Sequence, residues 1–296
     1  AMELIQRGLI SKQDVGGLDL TWGNDDAVLE MLSMIAHRRG FGNILAEGSA
    51  KASAIIGKGS ERYVMAVKGM EMLGRDPRSG SRLWCFGYAT STRGCYVKST
   101  HVNADCPPIR QIVEEKHGGI ENYSKKFVES LDIPEHLKKA MYGDPPIVDK
   151  YTWRGKPLMT KWFEDLFSII NCLSSCLFTD LDLGPTHYSK LLSACTGWKI
   201  TPEEIMIAGE RVHNLTKLFG VREGFRRKDD YYPKRFYEDP LPEGPAKGTV
   251  VSLREFNQAL DEYYELRGWD KKTGNPTPEK LAELDLAGEG TIARIQ

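Results

Sequence analysis

Helix-start signals recur directly ahead of apolar residues at helical spacing, and this constrains the fold more than any other feature of the chain. Ser252 is followed by Glu255, a pair that can satisfy two free backbone N–H groups reciprocally at a helix N-terminus. Phe256, Ala259, Leu260 and Tyr263 then make an apolar stripe, and Gly268 is placed to end the helix. Thr201, Pro202 and Glu204 repeat the signal, with Ile205, Ala208, Val212, Leu215 and Phe219 as the expected buried face. Asn24 is a third N-cap, for a helix whose predicted apolar face is Val28, Leu32, Ile35 and Ala36 and which Gly40 should terminate. A further helix is predicted from Leu45 to Ile56, and Thr277 with Pro278 opens a short one. Residues 1 to 9 read as the last turns of a helix that begins earlier. Strand evidence is confined to Arg62–Val67 and Gly248–Val251, too little to build a large sheet. The expected class is mainly α, as two packed helical domains.

A length of 296 residues suits two ordinary domains. Two segments read as irregular: one from about Asn103 to Trp153, with a helical piece from Tyr123 to Leu131, and the proline-rich Arg222–Lys247. No internal repeat or low-complexity tract is visible. A formal charge of −1 gives no electrostatic reason to bind nucleic acid or an acidic membrane surface. The apolar stretches fall short of the roughly 20 residues that span a bilayer, so no membrane span is expected and the chain reads as cytoplasmic. Six cysteines at 85, 95, 106, 172, 176 and 195 are too scattered for the disulfide framework of a small secreted domain. Cys85, Cys172 and Cys195 are expected to be buried small hydrophobes.

Three places carry chemistry. Asp14-Val15-Gly16-Gly17-Leu18-Asp19 sets two carboxylates around a glycine pair, and a carboxylate can accept two adjacent N–H donors from one ligand edge, such as that of a pterin. A plain solvent-exposed turn explains the same residues. Arg93-Gly94, with Lys98 and His101 close behind, concentrates two cations and an imidazole, which suits an anionic cofactor or a proton transfer; surface charge is the competing account. Cys176 follows an amphipathic helical stretch, and no cysteine pair in the chain is spaced Cys-x-x-Cys. A thiolate suits an iron–sulfur cluster, but such a cluster takes four ligands, and Cys172 as a neighbour leaves the set incomplete.

Taken in order, the chain resembles the C-terminal half of the aldehyde ferredoxin oxidoreductase family, the tungsten or molybdenum bis-pterin enzymes. The resemblance rests on Ala1-Met2-Glu3-Leu4, Trp22-Gly23-Asn24, Leu45-Ala46-Glu47-Gly48, Lys68-Gly69-Met70-Glu71, Asp76-Pro77-Arg78, Arg93-Gly94, Pro233-Lys234-Arg235-Phe236 and Tyr263-Tyr264-Glu265-Leu266-Arg267-Gly268-Trp269. It implies that Asp14, Gly17, Leu18 and Asp19 form the family's pterin-binding Asp-x-x-Gly-Leu-Asp segment, with Arg93 and Lys98 also holding cofactor. It implies that Cys176 is the fourth ligand of a [4Fe-4S] cluster and that Leu177 touches pterin through its backbone. The other three cluster ligands and the N-terminal half of the protein lie outside this sequence. Ferredoxin or an electron-transfer subunit is the implied partner, and a homo-oligomer is possible. Residues 1–92 would be part of a middle helical domain, and 93–296 a C-terminal helical domain with an irregular insertion around 103–153.

The sequence departs from the family pattern in three ways. Asn171, Ser174 and Ser175 stand where the second motif carries Asp, Gly and Leu. Val97 stands where Arg-Gly-x-x-His carries histidine, and His101 replaces it only if the loop is re-threaded. The segment 103–153 is an insertion similar to that of the benzoyl-coenzyme A reductase branch. The implied activity is oxidation of an aldehyde to a carboxylate, with electrons passed to ferredoxin. The alternatives are reduction of an aromatic or unsaturated coenzyme A ester, and a helical assembly domain that has lost catalysis; on its own this polypeptide is expected to be inactive.

Overall fold

The capping residues start helices as the sequence predicts. The computed structural model describes residues 1–94, 104–176 and 183–288. Among the described residues are fourteen α-helices and one two-stranded antiparallel hairpin. The chain opens with α1 (Met2–Gln6), α2 (Asp25–Ala36), α3 (Phe41–Leu45) and α4 (Ser49–Ile56), followed by strands β1 (Ala66–Val67) and β2 (Met70–Glu71) and then α5 (Arg82–Thr90). Helices α6 (Arg110–His117), α7 (Ile120–Ser130) and α8 (Glu135–Tyr142) lead to the long α9 (Lys156–Cys172). Then come α10 (Pro185–Thr196), α11 (Pro202–Arg222), α12 (Arg235–Glu238), α13 (Leu253–Arg267) and α14 (Pro278–Glu283).

Three large apolar cores, besides a small cluster of Trp84 and Tyr88, hold the described elements together. The first joins α1, α2 and α3 through Leu4, Val15, Leu20, Met31 and Phe41. The second surrounds α9, with Leu83, Met141, Met159, Phe163, Phe167 and Ile205. The third packs α5 on α13 through Phe86, Phe256, Leu260, Tyr263 and Trp269. Helix α9 lies at the centre, in contact with α5, α8, α11 and α13. Its approach to α11 is set by one glycine: a Cβ at Gly209 would lie 2.2 Å from the Asp165 carbonyl oxygen. Gly209→Ala is therefore expected to push α11 off α9 and cost about 1–3 kcal/mol. A lowered denaturant midpoint with an unchanged m-value would show it, and an unchanged midpoint would refute it.

Several sequence expectations are corrected. Helix α2 buries Ala27 and Met31, not Val28 and Leu32, which are 36 % and 55 % exposed. Apolar residues cover more than one face of this helix, so periodicity alone does not choose which is buried. The helix ends at Ala36, with Arg38 in the left-handed region, and Gly40 instead precedes α3. The helix predicted over Leu45–Ile56 is two, broken at Gly48, whose φ of 86° is left-handed. Helix α11 buries Ile205, Gly209, His213, Lys217 and Val221, while Leu215 and Phe219 are exposed. Of Arg62–Val67 only Ala66–Val67 is strand, preceded by a 3₁₀ turn, and Gly248–Val251 forms none. The segment expected to be irregular around 103–153 carries α6 and α8 as well as α7, which matches the helical piece expected from Tyr123 to Leu131. Cys85 is buried as expected, but Cys172 and Cys195 are exposed.

Candidate active site

Helix α9 presents Glu164, Ser168, Asn171 and Cys172 on one face, at the i, i+4, i+7, i+8 spacing that stacks side chains along a helix. Opposite them α11 contributes Val212, His213 and Thr216, and the residues after α5 contribute Ser91, Thr92 and Arg93. Together they enclose a polar cavity of about 370 Å³.

A close backbone approach fixes the Arg93 side of this cavity. Gly94 has φ +112°, and a Cβ there would sit 2.7 Å from the Val67 carbonyl oxygen, so glycine is needed on both counts. The hairpin against which it packs is held by Lys68, itself at φ 51°. Its Nζ donates to the Ala89 carbonyl at the end of α5 at 2.6 Å and pairs with Asp230 at 2.6 Å. Lys217 of α11 meets the other oxygen of Asp230 at 3.1 Å, and the Tyr264 hydroxyl donates to that same oxygen. Burial raises the Asp230 carboxyl, but the two ammonium groups outweigh it and the net shift is downward.

The floor of the cavity is a second buried polar network. Glu164 accepts from the Tyr263 hydroxyl at 2.6 Å and from Arg267 Nη2 at 2.7 Å, and Thr90 donates to its other oxygen at 3.4 Å. Arg267 also pairs with Asp165, which Lys161 meets at 3.0 Å. Burial pushes the Glu164 carboxyl up, against the pull of Arg267. His213 stacks on Trp269, and its Nε2 lies 3.5 Å from Glu164. Burial first, then the positive charges of Arg267, Lys217 and Lys161, push the imidazole well below its usual range, so it is neutral in the folded protein. The unfolded chain takes up this proton below about pH 6.5 while the folded one does not, so stability falls on acidification from there, by up to about 1.4 kcal/mol per pH unit. His213→Asn should flatten that part of the stability–pH curve; an unchanged slope would contradict the assignment.

The structure separates the residues predicted from sequence. Arg93 lines the cavity, and Cys176 is exposed, four residues past the end of α9. Cys172 and Cys176 do not share a helix face, because α9 ends at Cys172. Asp14, Gly17, Leu18 and Asp19 are not among the lining residues; they form the turn between α1 and α2. There Asp14 accepts from the Ser11 N–H at 2.7 Å and from its hydroxyl at 2.8 Å, bonds that lower its pKa. Gly16 and Gly17 supply φ values of 74° and 82°, and the Asp19 carbonyl accepts from the Asn24 side chain at 2.9 Å. The turn is thus preformed, with the Asp14 and Asp19 carboxylates exposed. Lys98 and Leu177, together with Val97 and His101, lie outside the described residues. Among the described residues no three of His, Cys, Asp or Glu converge to hold a metal ion. Cys85 is buried, and burial pushes the Cys106 thiol up to about 11.

Sequence reasoning missed Glu164, His213, Lys217 and Asp230 as site or support residues. The available signal was position: Lys217 and His213 occur four residues apart in a stretch otherwise read only for its apolar residues.

Comparison with known proteins defines the class. Residues 1–286 match the model of the family described as aldehyde ferredoxin oxidoreductase, domains 2 and 3, and the chain belongs to this family. The tungsten-containing aldehyde ferredoxin oxidoreductases of Pyrococcus horikoshii and Pyrococcus furiosus are each 35 % identical to it, over 97 % of this chain and 41 % of their own length. An aliphatic sulfonate oxidoreductase, WOR-like subunit, of P. furiosus is 29 % identical over 97 % of the chain and 38 % of its own length. The active site complex BamBC of benzoyl coenzyme A reductase, with 1,5 dienoyl-CoA, superposes with a TM-score of 0.75 at 24 % identity. That superposition covers 99 % of this chain and 43 % of the other, a likeness of fold. The chain spans about two fifths of the length of the curated relatives it matches, 41 %. Among the described residues no helix is long and apolar enough to cross a membrane.

Proposed function

We propose that the chain is the C-terminal part of a tungsten–pterin iron–sulfur oxidoreductase that oxidises aldehydes to carboxylates and passes the electrons to ferredoxin or an electron-transfer subunit. The observation that carries this reading is the match to domains 2 and 3 of the family over residues 1–286. The overall change converts an aldehyde and one water into a carboxylate, three protons and two electrons. A bound metal–pterin group supplies the two-electron redox centre; this chain's residues bind it and handle protons. The Asp14–Asp19 turn would receive pterin N–H donors, and Arg93, with Lys98, would face the anionic part of the cofactor. Leu177 would meet pterin through its backbone. Cys176 would donate one thiolate to a [4Fe-4S] cluster. Glu164, which lines the cavity and whose carboxyl burial pushes up, is placed to accept a proton there, with the neutral His213 beside it as a hydrogen-bonding neighbour. The division into units at 1–92 and 93–296 is part of the proposal, with α5 as the element of the first that packs into the core of the second.

Metal analysis of the full-length protein tests it. Tungsten or molybdenum with about four irons per protomer is expected, together with aldehyde-dependent reduction of a viologen dye. Absence of both metals, or turnover of an aromatic coenzyme A ester in place of aldehydes, would overturn it. Because Cys176 is exposed, Cys176→Ser should lower the iron content while leaving the unfolding free energy within about 0.5 kcal/mol of wild type. Full retention of iron would remove Cys176 from the ligand set.

A further inference from the structure

Among the described residues Glu164 is the one carboxylate that lines the polar cavity, and its two oxygens are held unequally. Oε2 accepts from the Tyr263 hydroxyl at 2.6 Å and from Arg267 Nη2 at 2.7 Å. Two charge-assisted bonds occupy both lone pairs of that oxygen. Oε1 meets the Thr90 hydroxyl alone, at 3.4 Å. That hydroxyl has a single hydrogen, and the nearer Phe86 carbonyl, one helical turn back at 3.1 Å, takes it.

The anchor on Oε2 is itself fixed. Arg267 Nε donates to the Tyr263 hydroxyl oxygen at 3.2 Å, Nη1 pairs with Asp165, and Nη2 also reaches the Lys161 carbonyl at 3.2 Å. The Tyr263 ring packs edge-on against Phe86 and Trp269, with centroids 5.7 and 5.6 Å away. Burial pushes the phenol well above its usual range, so this hydroxyl keeps its proton and remains a donor. Helix α13 carries the anchor but contributes no residue to the cavity lining, whereas Ser91 and Thr92, directly after Thr90, line it. The bonded oxygen is therefore on the α13 side of Glu164, and the other is on the side of the lining residues that follow α5.

We propose that Tyr263 and Arg267 are positioning residues that hold Glu164 by Oε2 and leave Oε1 as the oxygen that takes up a proton from the polar cavity. The step forms an O–H bond on Oε1 and moves no electrons. It rests on the function proposed above only in that aldehyde oxidation is the source of the proton. The charged and titratable groups around the carboxyl come from every neighbouring element. Helix α13 brings Tyr263 and Arg267, and α11 brings the neutral His213, with Lys217 one turn on. Helix α9 adds Asp165 and Lys161, and Arg93 lines the same cavity. Of these, Arg267 and Tyr263 favour the ionised carboxyl, while burial and Asp165 oppose it.

Infrared difference spectroscopy of the full-length protein during acid titration tests the proposal, with the Glu164 band assigned by its loss in Glu164→Gln. A proton on Oε1 leaves the carbonyl on Oε2, still accepting from Tyr263, so Tyr263→Phe should move the carbonyl band to higher frequency. The same variant removes a donor to the ionised form and should raise the titration midpoint by about one pH unit. Thr90→Val, which also loses a hydroxyl that touches Glu164, should change neither. A ring-fluorinated tyrosine at 263 has the same shape and is a stronger donor. It should lower the midpoint, and it decides the matter if Tyr263→Phe fails to fold. The proposal is overturned if the change at 263 moves neither band nor midpoint, or if Thr90→Val moves them as much. These readings need no substrate, so a protein that fails to oxidise aldehydes defeats the proposed function and leaves the titration to judge Tyr263.

Discussion

Replacing Arg267 by alanine is expected to lower the unfolding free energy by about 3–5 kcal/mol, the range for removing one partner of a buried ion pair. Arg267 is fully buried and holds Glu164 and Asp165 together with the Tyr263 hydroxyl and the Lys161 carbonyl. Without it two adjacent carboxylates stay inside the protein, with Lys161 as the nearest cation to only one of them. The cost is thus mainly that of uncompensated charge, which makes a specific rescue possible. Glu164→Gln in the Arg267→Ala background should recover part of the loss, whereas in the wild-type background it should destabilise. The pair of single variants and the double variant, compared by chemical unfolding, measure this coupling directly. A loss below about 1 kcal/mol for Arg267→Ala would mean that water or a rotated side chain replaces the guanidinium.

The second large effect is expected at Asp230, whose replacement by alanine leaves Lys68 and Lys217 buried with no counter-charge between them. A loss of about 3–5 kcal/mol is again the expectation. Its consequences extend to the cavity, because Lys68 ties the β1–β2 hairpin to the end of α5, and Gly94 rests on that hairpin. Arg93 should therefore become more accessible to proteases in Asp230→Ala than in wild type. The pH dependence has a definite direction. The folded carboxyl has a lowered pKa, so its contribution is fully present above the unfolded value near 4 and is lost as pH falls toward the folded value. The wild-type protein should lose stability in that acid range, and Asp230→Ala should lack that component. If wild type and variant show parallel curves below about pH 4, Asp230 is not the group responsible.

These two networks show what escapes a reading of the sequence. The helices at Thr201, Ser252 and Thr277 were legible because capping is local: a hydroxyl and the third following N–H are brought together by the chain itself. The buried stripe of α13 was legible for a similar reason, since its apolar residues occupy one face only. On α11 the same reasoning failed, because the inward face carries His213 and Lys217, and their burial depends on partners in distant parts of the chain. In the segment after residue 103 the prolines and the helical piece that became α7 were visible, and α6 and α8 were not. Helices of 8 residues such as α6 and α8 depend on packing against the rest of the protein more than on their own propensity. Cys172 and Cys195 lie on the surface because nothing in a cysteine's identity decides which side of a helix the core will occupy.

The family was written in the order of short motifs along the chain, and so was the mainly helical class, because both are properties of neighbouring residues. The cavity was not. Glu164, His213 and Arg93 come from three elements, and they meet only because Gly209 and Gly94 permit close backbone approach and because Arg267 and Asp230 bind charges that are far apart in sequence. Local hydrogen bonds and periodicity determine which segments become helices; burial of paired charge and shape-matched backbone contacts determine how those helices build a site.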